Sequence, residues 1–448
     1  MKKYSRKFWV IFWLAAVVFL AAWYAFWQTR YGNEIDNQSR FSGERQNEFS
    51  ALYELSSYFL KNDDQEKTLL VLFQNNLELR PGGGFIGSFG VFKFKNGKLT
   101  LSQIHDTGNF DGRIPDTVTP PYPMKQTLRI NSWKLRDSNY SPDFETNAKK
   151  AEEFYYMGNG EEQFDGVIGV TANVLLSFLK VTGPIQIEGY PGIYDSENAI
   201  IALEQQVEKG YVEQGIATGE RKNVMNELGA EILKRVSDLK GSQELELFGV
   251  VMDDLKNKDI QLYFKDENLQ KSVKENGWAG DVDREWSNDY LMMVDANLGA
   301  YKSDYYIKRE MDYSVDFSKQ KPEATLKITY KHTALQKDWM TKDYLSYLRV
   351  YVPTGAEFIL AENMDKNIQK GEEFGKQYFG AIVNVPLNSE KTVTWKYYLP
   401  ENIAAENYAL EIQRQSGVSD VPVKVEIIQK DGTKKNFDTI IDKDTVLQ

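Results

Sequence analysis

From Phe8 to Trp27 the chain runs twenty residues (FWVIFWLAAVVFLAAWYAFW) without a charged side chain, and no second segment of the 448 residues is long and apolar enough to span a membrane. As a helix this run would be about 30 Å long, enough to cross the hydrocarbon core of a bilayer. Aromatic rings crowd both of its ends: Phe8, Trp9 and Trp13 at one, Trp23, Tyr24 and Trp27 at the other. Such rings settle at headgroup level. A cleaved signal peptide would carry an apolar stretch of about 7–15 residues followed by small residues, whereas Gln28, Thr29, Arg30 and Tyr31 follow here. Lys2, Lys3, Arg6 and Lys7 precede the run, against Arg30 alone just after it. The positive-inside rule therefore predicts a cytoplasmic tail at 1–7 and a single-pass transmembrane helix at 8–27. The lipid bilayer is then a partner through residues 8–27, and the bulk of the chain is expected to be extracytoplasmic at the cell membrane.

Acidic residues number 65 against 54 Lys plus Arg. That balance argues against nucleic acid as a partner. The chain has no cysteine, so disulfides, thiolate catalysis, Cys-ligated zinc and iron–sulfur clusters are excluded and an exported body must rely on core burial. Only His105 and His332 are present. His332 (TYKHTAL) reads as a strand end, leaving His105 as the histidine to consider for chemistry.

Residues 28–66 read as a helical stalk, with Leu52, Leu55, Tyr58 and Phe59 at helical spacing. From 67 the period changes. Thr68 to Phe73 is a continuous apolar run, as in a strand covered on both faces. Phe85 to Phe94 and Leu99 to His105 flank Asn96-Gly97, a strong hairpin signal. Residues 106–132 hold four prolines and read as a long loop. Ser141-Pro142-Asp143 suits a helix start, Phe164 to Val170 a buried strand and Ala172 to Val181 a helix. Helices are expected at 196–213, 221–239 and 243–256, and short strands at Gln261 to Phe264 and Tyr290 to Val294. This alternation predicts an α/β domain over 67–304. Beyond Tyr305 short strand-like segments separated by Asn, Gly, Pro and Lys predict an all-β, immunoglobulin-like sandwich over 305–448.

Three constellations are candidates for a site. Gly82, Gly84 and Gly87 formally satisfy the dinucleotide-binding glycine spacing, but a strand follows where that motif needs a helix. Two readings of Arg80-Pro-Gly82-Gly83-Gly84 stay open: a glycine-rich strand connection, or bare backbone approaching an anion beside Arg80. In the second, Arg136, Asp137, Asn139 and Asp143 lie within eight residues. Arg136 could hold phosphate and Asp137 and Asp143 a hard cation such as Mg²⁺, the alternative being an ordinary Arg–Asp pair with helix capping. In the third, Arg221 and Lys222 stand where a helix begins, at the positive end of its dipole. A bound anion would reconcile them, and so would plain solvation.

The strings NNLELRPGGGFIGSFG, WKLRDSNYSPDF, FDGVIGV with a trailing L-x-x-T-G-P, GERKNVM, KDIQLYF, GWAGD and DANLGAYKSDYY occur in that order over roughly 67–310. In this they resemble the domain-of-unknown-function 4012 family, membrane-anchored bacterial envelope proteins without a settled activity. A more distant likeness, in order of parts, is to the LytR-CpsA-Psr enzymes, which transfer glycopolymers from polyprenyl pyrophosphate carriers to the cell wall. Gly183-Pro184 and Arg221-Lys222 would fill two of their places. Their serine-isoleucine-proline-arginine-aspartate run is missing unless Leu135-Arg136-Asp137 substitutes for it.

That likeness implies an envelope-assembly protein binding or transferring a polyprenyl-phosphate glycan or cell-wall polymer. Arg80, Arg136, Arg221 and Lys222 would neutralise the pyrophosphate with the backbone of Gly82, Gly83 and Gly84. Arg136, Asp137 and Asp143 would form the catalytic set, and Mg²⁺ on Asp137 and Asp143 would assist the leaving group. The rival expectation is a non-catalytic surface protein whose β domain binds a partner. Convergence of the three arginines in one cleft favours the first, and their dispersal the second.

Overall fold

The computed structural model describes residues 43–217, 220–221 and 223–448. The expected tail at 1–7, the span at 8–27 and residues 28–42 lie outside them. Among the described residues no helix is long and apolar enough to cross a membrane. The described residues are mixed α/β with three sheets, and the chain divides into two units, each gathered from separated stretches. Unit 1 takes residues up to Gln74, Ile86–Ile114 and Glu152–Ala279; unit 2 takes Asn75–Phe85, Pro115–Ala151 and Gly280–Gln448.

Unit 1 is built on five strands: β1 (Glu66–Asn75), β2 (Phe85–Lys95), β3 (Lys98–Asp106), β4 (Gly166–Thr171) and β5 (Ile260–Phe264), in the order β3-β2-β1-β4-β5. β1 and β4 are parallel, and β5 runs antiparallel to β4. Asn96 and Gly97 both take positive φ (51° and 68°). That is the mirror-image two-residue turn whose twist suits a hairpin, and it joins β2 to β3. The helix Asn173–Thr182 stops at Gly183, where φ is 77°, a backbone state glycine adopts freely. In the helix Asn223–Asp238, Val224, Leu228, Ile232 and Val236 recur every fourth residue and are buried, so they form one core-facing stripe.

Two expectations change here. The helix Gly43–Leu60 is no stalk, because Ala51, Leu52, Leu55 and Phe59 belong to the core of unit 1. Within 106–132, expected as loop, short helices form at Thr107–Asp111 and Met124–Thr127; the first is capped by Asp106, whose Oδ1 accepts from the Asn109 N–H at 2.9 Å.

Unit 2 holds two six-stranded sheets. Their strands are β6 (Asp289–Asn297), β7 (Ile307–Asp316), β8 (Glu323–His332), β9 (Tyr344–Pro353), β10 (Glu357–Glu362), β11 (Gln369–Glu373), β12 (Lys376–Val385), β13 (Glu390–Tyr398), β14 (Leu410–Gln413), β15 (Val421–Ile428), β16 (Lys434–Ile441) and β17 (Thr445–Leu447). One sheet runs β10-β13-β8-β7-β15-β16, the other β11-β12-β9-β6-β14-β17. Leu291, Met293, Tyr313, Leu326, Val350 and Trp395, from both sheets, share one apolar core. β7 alternates buried and exposed residues, as a strand with one wet face must.

β6 is buried throughout, because its second face is covered too. Tyr290, Met292 and Val294 pack with Val282, and Ala296 packs with Met124 and Tyr140. β6 pairs with β9 and β14, so the sheet pair begins well before the expected boundary at 305 and draws in residues 75–85 and 115–151.

Candidate functional site

The glycine-rich segment after β1 belongs to unit 2 and is packed against that unit's own backbone. A Cβ on Gly82 would strike the Asn147 side chain, and one on Gly84 would run into the backbone of Asn75 and Asn76. Gly83 sits at φ 132°. The Gly82 N–H donates to the Asn139 carbonyl at 2.9 Å, and Asn139 Nδ2 donates to the Gly84 carbonyl at 2.6 Å. The close approach that requires glycine is therefore made by protein at Gly82 and Gly84.

Arg80 is 1 % exposed. Its Nε donates to Asp137 Oδ1 at 2.7 Å and its Nη2 to Glu78 Oε1 at 2.8 Å; Nη1 reaches the carbonyls of Leu79 (3.2 Å) and Asn297 (2.9 Å). Burial alone would pull the guanidinium pKa down, but Asp137 and Glu78 more than offset this and hold it above its usual range. The anion expected beside Arg80 is thus supplied from within by two carboxylates. Arg136, in the short helical turn Leu135–Asp137, is half-buried between the buried residues Leu135 and Asp137.

Asp143 is fully buried and caps the helix Phe144–Met157, which therefore begins later than the start at Ser141-Pro142 expected from the sequence. Its Oδ1 accepts from the Thr146 N–H (3.0 Å) and Oγ1 (2.7 Å). Its Oδ2 takes Arg284 Nη2 at 2.8 Å and the Val282 N–H at 3.4 Å. Asp137 and Asp143 are each engaged by a different arginine, and among the described residues no three His, Asp or Glu side chains are grouped to hold a metal. The donors expected for Mg²⁺ do not fit such a site.

Arg221 belongs to unit 1, where its Nη1 lies 3.5 Å from Glu208 Oε2 with both side chains about one-third exposed. Lys222 lies outside the described residues. His105, on β3, is half-buried and stacks on Phe89 with ring centres 5.0 Å apart.

Sequence reasoning missed the polar network that continues from Arg80 through unit 2. Asn297 Nδ2 donates to Asp304 Oδ2 at 2.8 Å, and Arg309 joins Asp304 (2.7 Å) to Asp295 (2.8 Å). Asp295 also accepts from Tyr330 and Ser346, and Gln415 Nε2 ties its carbonyl (2.8 Å) to that of Arg80 (3.2 Å). The available signal was Asp295 itself, an acid in the otherwise apolar run Leu291 to Ala296. Unit 1 has its own buried acid: Asp254 Oδ1 accepts from Ser177 Oγ at 2.7 Å, while Oδ2 is buried without a partner. Burial, then the charge of Asp259, pushes the Asp254 pKa well up.

No curated protein matches the chain. Among solved structures, a candidate nutrient-binding protein of Legionella pneumophila is similar at 9 % identity and a TM-score of 0.21, over 32 % of this chain and 54 % of that one. An aminopeptidase A of Legionella pneumophila, in complex with aspartic acid, is similar at 18 % identity and a TM-score of 0.18, over 30 % of this chain and 17 % of that one. The chain therefore spans about half the length of the first and less of the second. A family model described as "Protein of unknown function (DUF4012)" matches residues 64–207, narrower than the 67–310 expected but including the glycine-rich string and the Trp133–Phe144 string, and over that stretch the chain matches this family.

Proposed function

We propose that this is a single-pass, membrane-anchored envelope protein whose extracytoplasmic body binds or scaffolds a surface partner without catalysing a reaction. In this reading residues 8–27 are the anchor, and the two-sheet part is an immunoglobulin-like interaction domain. The observation that carries the choice is the Arg80–Asp137 ion pair with Glu78, all three in one unit. A pyrophosphate at Arg80 would have to displace two carboxylates from a buried guanidinium, and removing a partner from a buried pair costs about 3–5 kcal/mol. A glycosyl-phosphoryl transferase drawing on Arg80, Asp137 and Asp143 would need all three turned away from their present partners.

The test is binding of a polyprenyl pyrophosphate to the full-length protein in detergent, with Arg136→Ala and Arg221→Ala beside it. The scaffold reading expects no saturable binding by any of the three. Saturable binding by the natural chain, lost in either variant while the fold persists, would overturn it. The anchor is tested separately, by protease added to intact spheroplasts, which should digest the chain beyond Arg30.

A further inference from the structure

The string DANLGAYKSDYY ends in a surface feature that the buried network leaves unused. Two loops of unit 2, residues 299–306 before β7 and 333–343 between β8 and β9, meet where those strands end. Thr333 donates to the Tyr306 carbonyl through both its N–H and its Oγ1, each at 2.9 Å, and Thr341 Oγ1 donates to Ser303 Oγ at 3.0 Å. The loops are thus fixed to each other, and their rings gather at the tip. Tyr305 meets Tyr306 edge-on at 5.0 Å, and Tyr306 stacks on His332 at 6.3 Å. Lys302 Nζ lies 5.8 Å from the Trp339 ring centre, and Lys342 Nζ 4.7 Å from that of Tyr301. Tyr305 is 47 % exposed and Leu335 is 80 % exposed.

Charge adds a second, separate observation. Lys308 on β7 and Lys331 on β8 are directly opposite in register and both exposed, and Glu390 of β13 faces Lys331 from the other side, so this like-charge pairing is only partly offset within the sheet. Nearby acids are Asp338, whose Oδ1 takes the N–H groups of Met340 and Thr341; Asp343, which takes that of Leu387; and Glu310 and Glu390 on the strands. Lys302, Lys337 and Lys342 share the tip with the rings.

Tryptophan and tyrosine rings, lysines that can reach past them, and an aliphatic side chain at the apex are the set that occupies a membrane–water interface. A saccharide site would use the rings but has no use for Leu335 in open solvent. We infer that this two-loop face docks on the anionic leaflet of the membrane that carries the anchor. The inference rests on the anchoring proposed above. Residues 28–42 can span at most about 50 Å when extended, so a tethered body meets the surface at high effective concentration and weak contact suffices.

The chain lacks cysteine, so a single environment-sensitive label can be placed by Leu335→Cys, with Thr433→Cys in the exposed β15–β16 turn as control. The full-length protein is reconstituted in vesicles of phosphatidylglycerol and phosphatidylcholine that contain a spin-labelled quencher lipid. Quenching at 335 should exceed that at 433 by at least about twofold, and should fall in pure phosphatidylcholine, in high salt and in Lys302→Gln/Lys342→Gln. Equal quenching at the two sites, or none at 335 in protein that floats with the vesicles, overturns docking and leaves the anchor standing. Protein that fails to float overturns the anchor and docking together. Protection of the label by soluble alginate, without lipid quenching, assigns the face to an acidic glycan and overturns the lipid assignment.

Discussion

Arg80 Nε lies 2.7 Å from Asp137 Oδ1, with side chains 2 % and 5 % exposed, and the contact joins segments 57 residues apart. A pair so buried gives up the hydration of both ions, and it persists because Glu78, Leu79 and Asn297 satisfy further guanidinium donors. Arg80 is therefore a fastening between the glycine-rich segment and the sheets of unit 2.

Breaking it from either side should be expensive. Arg80→Met leaves Asp137 charged and buried, and Asp137→Asn leaves the guanidinium short of a counter-charge; each is expected to destabilise unit 2 by about 3–5 kcal/mol. Arg221→Ala removes a contact to Glu208 whose two side chains are about one-third exposed and should cost no more than about 1 kcal/mol. Urea titration of the full-length proteins separates the two cases, and an unchanged midpoint for Arg80→Met would remove the fastening role.

Asp289 supplies a pH signature. It is wholly buried at the start of β6 and accepts from the hydroxyls of Tyr313 and Tyr408 (2.7 Å each) and the Tyr290 N–H (2.9 Å). Burial pushes its pKa up from 3.8 to about 6, against those three hydrogen bonds. The folded state thus binds this proton more tightly than the unfolded chain. Its contribution is fully present below about pH 4 and is lost as pH rises through about 6, an effect on the order of 3 kcal/mol. The stability difference between the natural chain and Asp289→Asn should shift by that amount between pH 4 and pH 7, in favour of Asn. A pH-independent difference would sink the assignment.

Glycine substitutions should split by environment. Gly84→Ala forces a Cβ into the backbone of Asn75 and is expected to unfold unit 2 or cost several kcal/mol, on the order of a severe core defect. Gly249→Ala, in the helix Ser242–Lys256 with nothing within 4 Å of the added carbon, should stabilise by about 0.5–1 kcal/mol. Thermal melts of the two variants check both signs.

A fragment of residues 305–448 should fail to fold cooperatively. It lacks β6, the strand between β9 and β14 that contributes Leu291 and Met293 to the shared core. A sharp, strand-rich melt from that fragment would contradict the arrangement.

The strands of unit 1 were legible because strands buried on both faces are apolar throughout: Thr68 to Phe73 and Phe164 to Val170 fall within or overlap β1 and β4. The same property hid the allegiance of β6. Leu291-Met292-Met293-Val294 reads alike in the centre of either kind of sheet, and only its partners β9 and β14 settle where it belongs. At the candidate site the sequence showed which residues carry charge, but periodicity is silent on distant pairing. Arg80 meets Asp137, and Asp143 meets Arg284 across 141 positions. Whether a carboxylate faces a ligand or another part of the chain is decided by such long-range contacts.

The interleaving of the two units bears on how the protein comes to be made. A ribosome releases Asn75–Phe85 long before Gly280–Gln448, which completes the same unit. At roughly 5–20 residues per second, the two hundred or so residues from Phe85 to Asp289 take about 10–40 s to appear. Through that interval Arg80 has no sheet to settle against, and the glycine-rich stretch is open to mispairing or proteolysis. Prematurely terminated products would carry that exposure permanently.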